Sequence, residues 1–249
     1  MSKMNPLPEV YSHSMLNTFS TCPRMFDANY VTKDFKQVWG DPTPAQIAGN
    51  RIHKAFEDAL LIGADLPPEY AEQKFIQETF NRVKGISKKL KGKVQPEKDM
   101  AVRSDFSPTD FWAKDALFRG KLDVFIKAKA GDIGYLGDFK NGTSKWSTPD
   151  QLDRCALLMF SENLMLKKVI AEYHYLMEGK RFKYVYYRSK KLQDEDKKTE
   201  SKTQDQLQSK LTYDINLVRS CYEKGLFIPK RNGLCKRHCP VADCEYNGR

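Results

Sequence analysis

The chain has 249 residues, 40% of them hydrophobic and 12% aromatic, with 42 Lys and Arg against 32 Asp and Glu and a formal net charge of +10. Such a composition excludes a chain disordered along most of its length and fits one large domain or two small ones. The positive excess favours a polyanionic partner, nucleic acid first among them, although a merely basic globular protein carries the same signature.

The opening "MSKMNPLPEVYSHSML" has no apolar signal core, and runs such as "ALLMF" are too short to span a bilayer. Both features predict a cytoplasmic protein with no membrane partner. Its six cysteines are then expected as thiols or metal ligands, because the cytosol keeps thiols reduced.

In chain order, "SHSMLNTFSTCPRMFDANYV" opens on hydroxyl residues suited to an N-cap and predicts a helix that Pro23 interrupts. "PTPAQIAGNRIHKAFEDALLIG" repeats Ile52, Phe56 and Leu60 at helical spacing, with Gly63 placed to end the helix. "PPEYAEQKFIQETFNRVKGI" reads as a third helix and "SKKLKGKVQPEKD" as a basic loop. From about Met100 the period shifts towards strands, clearest in "DALFRGKLDVFIKAKA" and "IGYLGDFKNG". "TPDQLDRCALLMFSENLML" returns to helix, and "KRFKYVYYRS" is rich in strand formers. A polar stretch from Lys190 to Lys210 reads as a solvated loop leading into a helix through "LTYDINLVRSCYEKGLF". Helices, then a small sheet, then helices predict a mixed α/β fold.

The hairpin "GKLDVFIKAKAGDIGYLGDFKNG" places acids and a lysine in otherwise apolar strands. A turn at Ala130 to Ile133 sets Lys140 opposite Asp123, with Asp138 one diagonal step away. All three then share a sheet face, while Phe139 points to the other. Two converging carboxylates suit a hard divalent cation, Mg²⁺ or Mn²⁺, and a lysine beside them suits a phosphate under attack. An exposed cross-strand salt bridge is the ordinary alternative.

"GKLDVFI" followed by "GDFKNG" resembles the core of the PD-(D/E)XK nuclease superfamily, in particular its RecB-like and Cas4-like exonuclease branch. "GNRIHKAFE", "DQLDRCALL" and "SHSMLNTFSTCPR" resemble further segments of that branch in the same order. The resemblance implies a restriction-endonuclease-like α/β core in one domain over 1–249. It has a helical part at 1–99, a catalytic sheet at 100–190, and a C-terminal helix and cysteine tail at 191–249. It implies His53, Asp123 and Asp138 as metal ligands, Lys140 at the attacking water, and Glu57 and Gln151 in support. Cys155 stands where the branch carries a tyrosine. The implied activity is exonucleolytic cleavage of single-stranded DNA ends. A structure-specific endonuclease acting on flaps, or a cluster-bearing subunit that binds DNA without cutting, are the alternatives.

Cys235, Cys239 and Cys244 are separated by three and then four residues, and a fourth ligand would complete a tetrahedral set. The resemblance implies Cys22 as that ligand and a [4Fe-4S] cluster as the group. His238 offers zinc as the alternative, and the spacing departs from the branch's commonest one. Cys155 and Cys221 read as core residues. Arg24, Lys88, Lys89 and Arg188 are candidate phosphate contacts, and Tyr184, Tyr186 and Tyr187 candidate stacking partners for bases.

Overall fold

The computed structural model describes residues 5–33, 44–196 and 201–249. A short strand, β1 (Tyr11–Ser12), leads into α1 (His13–Thr21) and α2 (Pro23–Phe26), followed by a π-helical turn at Asp27–Val31. Ser12 caps α1 through a hydrogen bond from Met15 N. Cys22 is extended between α1 and α2, the break that Pro23 requires. Next come α3 (Pro44–Ile62), α4 (Pro68–Ala71) and α5 (Lys74–Leu90). Gly63, at φ 73°, follows the end of α3.

The strands are β2 (Val94–Val102), β3 (Pro108–Thr109), β4 (Phe118–Lys127), β5 (Ile133–Lys140), β6 (Lys168–Tyr175), β7 (Lys180–Tyr187) and β8 (Ser201–Thr203). Between them lie α6 (Asp150–Glu162) and α7 (Lys190–Glu195), and α8 (Gln204–Glu223) follows β8. They form one sheet in the order β3-β2-β4-β5-β6-β7-β8, with β1 parallel to β4. β5 and β6 are parallel, joined across α6, whereas β4 and β5 are antiparallel. Alternate strand residues feed two apolar cores. Phe125, Leu136 and Ala171 pack with α1, α6 and α8, while Val124, Ile126, Tyr135 and Phe139 pack with α3 and α5.

The expectations are corrected at four points. The segment read as a basic loop is the last turn of α5 and the first half of β2, so the main run of strands begins at Val94 and not near Met100. Pro96 is tolerated there because β3 pairs with β2 only at Ala101 and Val102, leaving the Pro96 edge unpaired. β6, buried along most of its length, was not foreseen. The predicted third helix is two, α4 and α5. Part of the polar stretch before α8, residues 197–200, lies outside the described residues. The rest forms α7, β8 and the start of α8, where Thr203 and Gln206 make a reciprocal capping box. Among the described residues, no helix is long and apolar enough to cross a membrane.

Candidate active site

β4 is bordered by two strands that do not run its full length. On one edge it pairs with β5 from Lys127 back to Val124, and with β1 only at Phe118 and Arg119. Between them the edge forks, and Asp123 sits at the fork. The β4–β5 ladder ends at Val124 and Gly137, so the next residues along are Asp123 and Asp138, two residues from the expected pairing of Asp123 with Lys140. On the other edge, Glu97 and Asp123 fall between the β2–β4 pairs Pro96–Val124 and Lys98–Leu122. Three acids thus stand side by side on adjacent strands at one level of the sheet.

His53 reaches this level from α3. Its Nε2 lies 3.0 Å from Phe139 O, and a carbonyl only accepts, so Nε2 carries the proton. Nδ1 then faces Asp123 Oδ2 at 3.6 Å and Glu97 Oε1 at 3.9 Å. Ligand atoms of His53, Glu97 and Asp123 all lie within 4.8 Å of one another, the geometry of a metal site. Asp123 is held by a 2.8 Å hydrogen bond from Phe139 N.

Asp138 adjoins this trio and is tied from α6. Gln151 Nε2 donates to Asp138 Oδ2 at 2.7 Å, and Lys140 Nζ donates to Gln151 Oε1 at 2.8 Å. Lys140 Nζ also makes a 2.7 Å ion pair with Asp138 Oδ1. Two carboxylates and an imidazole converging within 4.8 Å, with a third carboxylate adjoining, fit a hard cation that takes oxygen ligands and tolerates nitrogen, which describes Mg²⁺ and, better, Mn²⁺.

The electrostatics agree. Burial, and then the charge of Asp138, push the Asp123 carboxyl up to about 7. Burial likewise raises Asp138. Burial pulls His53 down, but Glu97, Asp123 and Asp138 outweigh it and lift the imidazole to about 8. Without a cation these groups therefore share protons, and a divalent ion would replace them. Burial also lowers Lys140, but the Asp138 carboxylate prevails and holds the ammonium above its ordinary value.

Glu57 is bonded to Lys54 at 3.1 Å and stands outside the trio, while Glu97 takes a ligand position that the sequence reading left in a loop. The signal was slight: one acid two residues beyond a strand-like "VQ". Cys155 is buried in the core of α6 and its thiol is pushed up by burial.

The candidate DNA contacts divide. Lys88 and Lys89 are exposed at the end of α5. Tyr186 is 1% exposed and donates to Asp153 Oδ1, so no face is open to a base. Tyr187 is buried as well. Arg188 is turned inward and donates to the carbonyls of Phe160, Asn163 and Leu166 around the end of α6. Arg24 bridges Asp27 and Asp243, tying α2 to the C-terminal tail.

Cys22, Cys235, Cys239 and Cys244 line one cavity with Arg24, Lys230 and Asn232. Backbone N–H groups of Lys230 and Asn232 point at the sulfurs of Cys22 and Cys235, each at 3.4 Å. Burial and the other three thiols raise Cys239. No three of these sulfurs lie within 4.8 Å of one another among the described residues. Tetrahedral zinc, with Zn–S bonds of about 2.3 Å, would bring them to about 3.8 Å. His238 is not among the residues lining the cavity.

The forked sheet, its acids and the adjacent lysine make an arrangement suited to a divalent cation and a phosphodiester. The chain matches the model of the PD-(D/E)XK nuclease superfamily over residues 10–244 and belongs to that superfamily. Against solved structures it aligns with one described as "Crystal structure of SSO0001", at 15% identity and a TM-score of 0.44, covering 97% of this chain and 88% of that one. Among curated proteins no match was found.

Proposed function

We propose that this nuclease is an exonuclease of the RecB-like and Cas4-like kind, acting on single-stranded DNA ends with Mg²⁺ or Mn²⁺ and carrying a [4Fe-4S] cluster on its four clustered cysteines. The observation that carries the catalytic part is the row of Glu97, Asp123 and Asp138 on neighbouring strands, with Lys140 beside it. His53, Glu97 and Asp123 would hold the cation, with Asp138 beside them, paired to Lys140. When bound, the cation supplies an acidified water and neutralises charge on the scissile phosphate. Gln151 fixes the carboxylate of Asp138 and the ammonium of Lys140 together. Lys140, held beside the Asp138 carboxylate, is placed to orient the attacking water and to offset negative charge on the phosphorane.

The cluster reading is supported by four cysteines lining one cavity and by N–H groups directed at the sulfurs of Cys22 and Cys235, contacts of the kind that tune such clusters. The test of the exonuclease reading is digestion of end-labelled linear strands beside circular single strands in Mn²⁺. Mononucleotides or short oligonucleotides released from linear DNA, with circles intact, are expected. Nicked or fragmented circles would make the protein an endonuclease.

A further inference from the structure

The connection from β5 to α6 begins and ends at the acidic centre. It leaves the sheet just after Lys140 and enters the helix just before Gln151, and those two side chains are hydrogen-bonded at 2.8 Å. Between them the chain makes a 3₁₀ turn, Ser144–Trp146. This turn is anchored at its base. Ser144 is buried, and its N–H and Oγ donate to the two carboxylate oxygens of Glu178 at 3.2 and 2.6 Å. Lys180 Nζ adds a third bond to Ser144 Oγ at 3.3 Å. Glu178 and Lys180 flank the β6–β7 turn, so a second hairpin pins the loop. Thr143 caps the turn through Lys145 N.

At the tip of this fixed base, Trp146 is 77% exposed. Lys145 Nζ lies 4.9 Å from its ring centroid. An indole in water is unfavourable, and single exposed aromatics need no special reason. An indole at the end of a braced turn, beside a cation and between two residues of the catalytic centre, has the parts of a stacking platform: a π-face for a base and a charge for its phosphate. Trp112 is also 76% exposed and also has a cation over its ring, the Arg119 guanidinium at 4.6 Å, but Phe111 packs edge-on against it and it lies between β3 and β4, outside the connection that joins Lys140 to Gln151.

We propose that Trp146 stacks on an unpaired nucleobase of the strand whose phosphate lies at the acidic centre, and so favours single-stranded over duplex DNA. This inference rests on the nuclease reading above. Stacking on one aromatic ring is worth about 1–3 kcal/mol per base, or about five- to 150-fold in affinity.

The experiment is fluorescence anisotropy in Ca²⁺ with a labelled oligo(dT) and a blunt duplex of the same length, on wild type, Trp146→Ala, Trp146→Phe and Trp112→Phe. Trp146→Ala is expected to bind oligo(dT) at least about five-fold more weakly. It should bind the duplex within about two-fold of wild type, while Trp146→Phe recovers most of the loss and Trp112→Phe changes little. Unchanged oligo(dT) binding by Trp146→Ala, or an equal loss on both substrates, would overturn the proposal. Cleavage in Mn²⁺ is scored separately. A wild type that binds oligo(dT) through Trp146 but cuts nothing sinks the nuclease reading alone. One that cuts, with Trp146→Ala binding normally, sinks the stacking role alone.

Discussion

At Glu97 the backbone takes φ 49°, a left-handed value inside a strand and at a residue that is not glycine. Such a conformation costs about 1–2 kcal/mol and persists where the surroundings over-determine it, often at functional sites. Here it accompanies the carboxylate that faces His53 and Asp123. Glu97→Gln keeps the shape and removes the charge, so Mn²⁺ affinity is expected to fall about ten- to 100-fold with little change in melting temperature; calorimetric titration would show it. The same titration has a predicted pH dependence. Asp123, raised to about 7, and His53, raised to about 8, both hold protons below those values when no cation is bound. Binding must displace those protons, so affinity should rise from pH 6 to pH 8 with net proton release that shrinks at the upper end. Affinity that is flat or falling over that range would place the cation elsewhere. Asp123, Asp138 and Lys140 were legible in the sequence because charge interrupts an apolar alternation there. Glu97 was not, because in "VQPEKD" it is one polar residue among several, and only the pairing with β4 gives it a partner.

Among the elements, β6 is the one whose pattern misled. It carries Glu172 and His174, both buried, in a strand that a sequence reader expects to be apolar. Their partners are far away in the chain. Arg82 on α5 grips Glu172 through bonds of 2.8 and 2.6 Å, and Tyr135 on β5 donates to Glu172 and lies 2.9 Å from His174. Local periodicity cannot reveal a charge that is neutralised from another element, whereas α3, with Ile52, Phe56 and Leu60 at helical spacing, was visible. The Arg82–Glu172 pair fastens α5 to the centre of the sheet. Arg82→Met should destabilise the protein by about 3 kcal/mol, because it leaves a buried carboxylate with its main partner gone. Urea unfolding measures this; a loss under about 1 kcal/mol would show the pair to be dispensable. Gly92 joins the same helix to β2, and a Cβ there would meet the Lys127 carbonyl oxygen at 2.1 Å. No side chain could yield, so the α5–β2 connection is fixed by that close approach.

For the whole molecule, the cysteines join what the sequence holds farthest apart. Cys22 lies between the first two helices, and Cys235, Cys239 and Cys244 lie in a tail with little regular structure. The Arg24–Asp243 ion pair and the Asn232 bond to Thr21 O follow the same route. A group bound by all four thiolates would close most of the chain into one loop and supply folding energy the tail lacks. Cys239→Ser is expected to lose iron and visible absorption after anaerobic purification and to melt several degrees lower. A mutant that keeps wild-type melting behaviour without metal would contradict a structural cluster. The net charge of +10 predicts, in addition, DNA binding that weakens steeply with salt.

The central claim is that the acids at the fork of β4 and β5 make this chain a cation-dependent nuclease. It is tested most directly by Mn²⁺-dependent cleavage of linear single-stranded DNA by wild type and Asp138→Ala, with DNA binding in Ca²⁺ measured on both. The predicted result is cleavage by wild type, at least about a thousand-fold slower cleavage by the variant, and equal binding. Equal cleavage by the two proteins, or none by wild type, would contradict it.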